Sequence, residues 1–256
     1  MKIIKQIMAG IDSLRVLSFW VSLFLCSVLR AENKCNVEVK LLLSPTDDQA
    51  AVTALNVKKE TTGFVYFFDT NTLDLLSQGV IVRLRQGIDN DLTVKLRPSK
   101  GVEVSPSTTE RETFKCEVDF IGDGANPAYS ISRKFAGSPL PQSGYDISRL
   151  LSPGQRRLLE EAKASIDWSR VLRMGEIKAT TWQSRPSPYF SKLALELWEW
   201  PQGRILELST KAGSNAGPKT YAKMQDLVRS KLLALSRDQR SKTIMVLESI
   251  THDPTR

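Results

Sequence analysis

Val80-Ile81-Val82-Arg83-Leu84-Arg85-Gln86, followed after a five-residue break by Leu92-Thr93-Val94-Lys95-Leu96-Arg97, is the stretch that decides the fold. The break, Gly87-Ile88-Asp89-Asn90-Asp91, has the Gly, Asn and Asp content of a turn. The two halves therefore read as a strand pair over 80–86 and 92–98. A strand turns successive side chains to opposite faces. Arg83 and Arg85 share one face, as do Lys95 and Arg97, and the apolar residues share the other. The same alternation recurs in Asn36-Val37-Glu38-Val39-Lys40, in Lys115-Cys116-Glu117-Val118-Asp119 and in Ile205-Leu206-Glu207-Leu208-Ser209. Some of these strands supply cations and others supply carboxylates.

Further strands are expected over 36–43, 63–68, 112–120, 170–183, 192–200 and 203–211, with Pro201-Gln202-Gly203 as a tight connection between the last two. Short helices are expected after Pro45 and around Leu73-Asp74-Leu75-Leu76. Longer ones should run from Ser152-Pro153 to Lys163 and from Gly217-Pro218 to about Leu235. The stretch from Gly122 to Gly144 is rich in Gly, Pro and Ser and reads as an excursion outside the core. The sum is an α+β fold, an antiparallel β-barrel of about eight strands with peripheral helices. With the charged faces turned inward, its lumen would suit a polyanion and the metal ion that accompanies it.

The chain has 256 residues, 41% hydrophobic and 25% charged, an ordinary globular composition. Residues 1–31 read as a secretory signal peptide: Lys2, Lys5 and Arg15 precede the apolar run Val16 to Leu29, and Ala31 suits the last residue before cleavage. That run is short for a membrane span of roughly 20 residues. An uncleaved N-terminal anchor is the other reading, and in both the body is exported, secreted or periplasmic. No stable span is expected once the leader is gone. The expected organisation is thus a leader over 1–31, a barrel domain with its C-terminal helix over 32–236, and a polar tail over 237–256.

The net charge of +8 falls when Lys2, Lys5, Arg15 and Arg30 leave with Asp12. The remainder is modestly basic. This favours a small anionic ligand, and no basic run interleaved with aromatics marks a nucleic-acid groove. The oligomeric state is not legible. His252 is the single histidine and lies near the C-terminus. This excludes a Ser-His-Asp or Cys-His triad and a histidine-based zinc site. Outside the leader the chain keeps Cys35 and Cys116. In an oxidising compartment they would pair, worth about 4 kcal/mol on chain-entropy grounds. Two unpaired buried thiols are the alternative.

Taken in order, these segments resemble the CYTH domain, the triphosphate tunnel metalloenzymes, which include class IV adenylate cyclases and thiamine triphosphatases. Asn36 to Lys40 is similar to the family's E-x-E-x-K strand. Tyr66-Phe67-Phe68-Asp69-Thr70, the short helix and Arg83-Leu84-Arg85 resemble its Y-[YF]-D-T, helix and R-x-R stretch. Thr93 to Arg97 resembles the basic strand that follows, Glu117 to Asp119 the central acidic strand, and Leu206 to Ser209 the late E-x-E strand. Two positions depart from the pattern: Asn36 and Ser209 stand where the family has acids.

The resemblance implies a metal-dependent phosphohydrolase acting on tripolyphosphate or an organic triphosphate. Lys40, Arg83, Arg85, Lys95, Arg97 and Lys178 would bind phosphate. Glu38, Glu117, Asp119 and Glu207 would hold Mg²⁺ or Mn²⁺, and Glu38 and Lys40 would be catalytic. Arginine forks and lysine point charges both suit phosphate oxygens. Hard divalent cations want anionic oxygen ligands. The losses at Asn36 and Ser209 motivate an alternative, a tunnel that binds polyphosphate or another phosphorylated ligand without turnover. A cyclase is a third reading, weakened by export away from ATP. Alternating charge on one strand also fits the solvent face of a half-buried sheet. Five such strands in the family's order favour the lumen.

Overall fold

The computed structural model describes residues 35–98, 109, 111–122, 124–137 and 144–252. The expected leader lies outside the described residues. Among those described, nine strands form the fold: β1 (Asn36–Leu43), β2 (Lys58–Asp69), β3 (Val80–Gln86), β4 (Asp91–Leu96), β5 (Glu112–Ile121), β6 (Gly124–Lys134), β7 (Leu172–Gln183), β8 (Leu193–Trp200) and β9 (Gly203–Ala212). They close into a barrel in the order β1-β5-β6-β4-β3-β2-β7-β8-β9. Helices α1 (Asp48–Ala54), α2 (Asp74–Ser77), α3 (Pro153–Glu161), α4 (Gly217–Ser230) and α5 (Lys242–Thr251) surround it.

The closed barrel is the architecture expected, with one strand more and one pair of the other sense. Strand directions cannot alternate all the way round a ring of nine, so one pair must be parallel. That pair is β1 with β5. The added strand is β6, in the segment expected as an excursion. Its composition disguises it for a physical reason. Pro127 faces Val118 of β5, whereas the pairing of β6 with β4 runs only from Tyr129 to Lys134. Pro127 therefore sits where β6 has one neighbour, and a missing N–H is tolerated there.

The apolar faces of the strands point outward and are covered by helices. Val37, Val39 and Leu41 of β1 pack with Met224 and Val228 of α4. Leu84, Leu92 and Val94 pack with Leu158 and Leu159 of α3. Ser152 and Gln155 form a capping box at the start of α3, with Pro153 in its first turn. The buried Gln155 side chain also donates to the carbonyls of Leu92 and Ile131, on β4 and β6. One end of the lumen is apolar as well: Leu42, Phe67, Ile177 and Trp198 meet Val246, Leu247 and Ile250 of α5.

Residues 237–256, expected as a polar tail, thus hold a helix that closes the apolar end of the barrel. The signal is the apolar run Ile244-Met245-Val246-Leu247 with Ile250 one turn on. α4 ends at Ser230, short of Leu235, and Leu235 instead bridges to Leu43 of β1. Cys35 and Cys116 are joined by a disulfide across the parallel seam, with Cα atoms 4.7 Å apart and 81 positions of chain between them.

Candidate functional site

The register of the parallel seam sets the acidic side of the lumen. Asn36 lies beside Glu117 and Glu38 beside Asp119. The carboxylates of Glu38, Glu117 and Asp119 come within 4.8 Å of one another, close enough to share a cation. Asp119 is buried to 1% exposure, the deepest of the three. Lys40 donates to its Oδ1 at 2.8 Å, and Lys95 and Arg97 donate to its Oδ2 at 2.7 and 2.8 Å. Lys40 also lies 3.0 Å from Glu38. Burial alone would raise the Asp119 pKa, but Lys40, Lys95 and Arg97 hold it well below the carboxylate range. Burial likewise opposes the Lys40 ammonium, and Glu38, Glu207 and Asp119 outweigh it, so its pKa lies above the lysine range.

The basic side comes from β3 and β4. Arg83 faces Thr93 across the pair, and Arg85 faces Asp91. Arg83, Lys95, Arg97 and Lys40 line a cavity of about 70 Å³. The Nε atoms of Arg83 and Arg97 are buried with no hydrogen-bond partner. Burial, then the neighbouring Arg85, push the Arg83 pKa down. A desolvated cation short of partners is a group that a bound anion would satisfy. Arg85 is different: its Nε and a terminal nitrogen grip both oxygens of Asp91 at 2.9 and 2.6 Å, and Asp89 approaches to 2.8 Å.

Two of the expected residues stand elsewhere. Lys178 faces outward, 56% exposed at its side chain and 3.9 Å from Glu199. At that level the inside is the apolar end, so Ile177 and Ala179 turn in and the charge turns to solvent. Glu207 lines the cavity but is not one of the three clustered carboxylates. Its partner at 2.8 Å is Lys242. Ser209 lies directly across from Lys40. Asn36 is exposed at the start of β1.

Three lumen residues went unread in the sequence. Lys242, at the first position of α5, pairs with Glu196 as well as Glu207 and lies 4.4 Å from the centre of the Trp198 ring. Burial works against its charge, and Glu196 and Glu207 more than restore it, leaving its pKa raised. Glu196 itself, despite burial, is lowered to about 2 by Lys242. The Leu195-Glu196-Leu197 alternation was a signal for Glu196, and Asp91 was read as turn. Lys242 carried none beyond its place one turn before Val246.

No protein-family model matches the chain, and no curated protein does. Solved structures match over most of the chain. A proposed adenylyl cyclase from Hippeastrum, described as having a dominant triphosphatase activity, aligns over 82% of this chain and 94% of its own, with a TM-score of 0.58 and 18% identity. A proposed adenylate cyclase from Bacillus halodurans aligns over 82% and 96%, with a TM-score of 0.53 and 11% identity. The fold is that of the CYTH-type triphosphate tunnel proteins. At such identities the likeness speaks for the fold, and the chemistry must be argued from the lumen.

Proposed function

We propose that this chain is a metal-dependent phosphohydrolase that cleaves a phosphoanhydride bond of tripolyphosphate or an organic triphosphate held in the lumen. One observation carries the reading: Lys40, Arg83, Lys95, Arg97 and Lys242 converge on a single cavity that also meets Asp119 of the carboxylate cluster. Three clustered carboxylates fit the oxygen-ligand preference of Mg²⁺ or Mn²⁺, with phosphate and water completing the shell. Glu38, Glu117 and Asp119 would hold that ion, which when bound supplies positive charge to the phosphoryl oxygens of the bond being cleaved. The chain's own residues bind and orient. Arg83 and Arg97 offer unfilled donors to phosphate oxygens, and Lys95 and Lys40 add charge. Lys40, between Glu38 and Asp119, is placed to keep the anion in register with the carboxylates. Phosphoryl transfer asks above all for positioning and charge stabilisation, and no histidine is required. The triphosphatase activity of the Hippeastrum protein supports the same reading. Export by the leader expected in residues 1–31 would favour an inorganic polyphosphate over a nucleotide as substrate.

The second reading, a tunnel that binds without turnover, is favoured by one specific feature. Asp119 already has three cationic partners, and the positions of Asn36 and Ser209 offer no carboxylate. The deciding experiment is phosphate release by the full-length chain from tripolyphosphate, ATP and thiamine triphosphate, with Mg²⁺, Mn²⁺ or chelator, beside Glu38→Ala. Metal-dependent release that Glu38→Ala abolishes supports the hydrolase. Chelator-insensitive binding of tripolyphosphate with no release supports the binding module, and absence of both sinks the two readings together.

A further inference from the structure

Arg83 and Arg85 stand two residues apart on the same inward face of β3, yet their surroundings differ. Arg83 has a buried Nε with no partner. Arg85 is held by a fork of two hydrogen bonds, 2.9 and 2.6 Å long, to an Asp91 carboxylate whose side chain is only 2% exposed. Asp89, 40% exposed in the hairpin loop, adds a second carboxylate at 2.8 Å. The pairing is built into the hairpin, because Arg85 and Asp91 are directly opposite in the β3–β4 register. Arg83 and Lys115 also lie in the field of Asp91, but neither donates to it among the described hydrogen bonds.

We infer that Asp91 is a positioning residue that withholds Arg85 from anions in the lumen, and so confines strong recognition to the deeper group around Arg83, Lys95 and Arg97. The inference rests on the reading that the lumen binds phosphate. Its physical basis is an exchange. An anion that took the Arg85 fork would leave a buried carboxylate without its partner, and an unpaired buried charge is costly. The new bidentate pair would resemble the one given up. The net gain from Arg85 is therefore small while Asp91 keeps its charge. Depth makes this a matter of selectivity. Ile81, Arg83 and Arg85 follow one another outward from the apolar end that α5 closes, so the silent arginine is the outer one. Phosphoryl groups deep in the lumen meet an unsatisfied donor. Groups further out meet a neutralised pair.

The test is calorimetric titration of inorganic tripolyphosphate into the full-length chain, with chelator present, for wild type, Asp91→Asn and the double variant Arg85→Gln/Asp91→Asn. The amide keeps the shape of Asp91 and removes its charge, which leaves Arg85 only the exposed Asp89 as an anionic partner. Tripolyphosphate affinity is expected to rise by about tenfold or more in Asp91→Asn, the scale of one charge-assisted hydrogen bond. It should return to within about twofold of wild type in the double variant. An unchanged or weaker affinity in a folded Asp91→Asn protein overturns the inference. So does a double variant that keeps the full gain, since the effect would then come from lost negative charge and not from Arg85. If Asp91→Asn does not fold, Arg85→Gln alone decides: affinity within about twofold of wild type supports the inference, and a larger loss refutes it. Binding by wild type that Asp91→Asn leaves unaltered removes this inference only. No binding by either protein, with chelator or with Mg²⁺ in its place, removes the phosphate reading beneath it as well.

Discussion

At the scale of single residues, the lumen is a network of opposite charges in which a few groups are left short. Arg83 is the clearest case. Its buried Nε lacks a partner and its charge is opposed by burial and by Arg85. Arg83→Gln is therefore expected to weaken tripolyphosphate binding by about tenfold or more while leaving the melting temperature unchanged or higher. Titration and thermal unfolding of the same variant check both halves. Lys242 is the opposite case, a cation between two carboxylates. Lys242→Met leaves the buried Glu207 without its partner and the part-exposed Glu196 without its ion pair, and a loss of roughly 3 kcal/mol in denaturant unfolding is expected. The same pair gives an acid dependence. Glu196 in the folded chain titrates at about 2, below its ordinary 4.5. A depressed carboxylate contributes stability above its unfolded pKa and loses it as pH falls through the folded one. Between about pH 5 and pH 2, Glu196→Gln should thus flatten the decline in melting temperature seen for wild type.

At the scale of elements, the parallel seam is where the barrel is held by more than its ladder. The disulfide from Cys35 to Cys116 pins the start of β1 to β5, two strands that carry the whole carboxylate cluster. Cys116→Ser is expected to cost about 2–4 kcal/mol in equilibrium unfolding, and an unchanged unfolding midpoint would show that the bridge does not constrain the chain. The seating of α5 depends on a glycine. Gly175 has φ +61°, and a Cβ there would lie 2.6 Å from Cδ1 of Ile250. Gly175→Ala should lower stability through both strain and the displaced helix, and faster amide exchange in α5 is the mark that separates the second cause from the first.

At the scale of the whole molecule, the barrel inverts the usual distribution over part of its length. Charge lines the interior there, and the apolar faces are covered from outside by α3 and α4. At the other end the order is normal, with α5 over Phe67, Ile177 and Trp198. One end is thus covered by α5, and under the proposed function an anion would enter from the charged side. Tripolyphosphate binding should fall as salt is raised, since the attraction is summed over several lysines and arginines, and a salt-independent affinity would speak against lumen binding.

The alternation of charged and apolar residues, and with it the strands β1, β3, β4, β5 and β9, was determined by the sequence alone. Period two is a local property, and the same holds for the Pro153 start of α3 and for the short helix before Gly79. Which face turned inward was decided by the tertiary structure. Lys178 and Arg83 sit in similar patterns, yet one meets solvent and the other the lumen, because the interior changes from apolar to charged along the barrel axis. The strand β6 was hidden because Gly124 and Pro127 are read against a full ladder, whereas the register leaves that segment a single neighbour. The ion pairs of Lys242 with Glu196 and Glu207 join residues 46 and 35 positions apart, and the fork of Arg85 on Asp91 depends on a hairpin register. The Lys242 pairing is long-range and a property of closure, which no local pattern carries; the Arg85 pairing is local but needs the exact hairpin register.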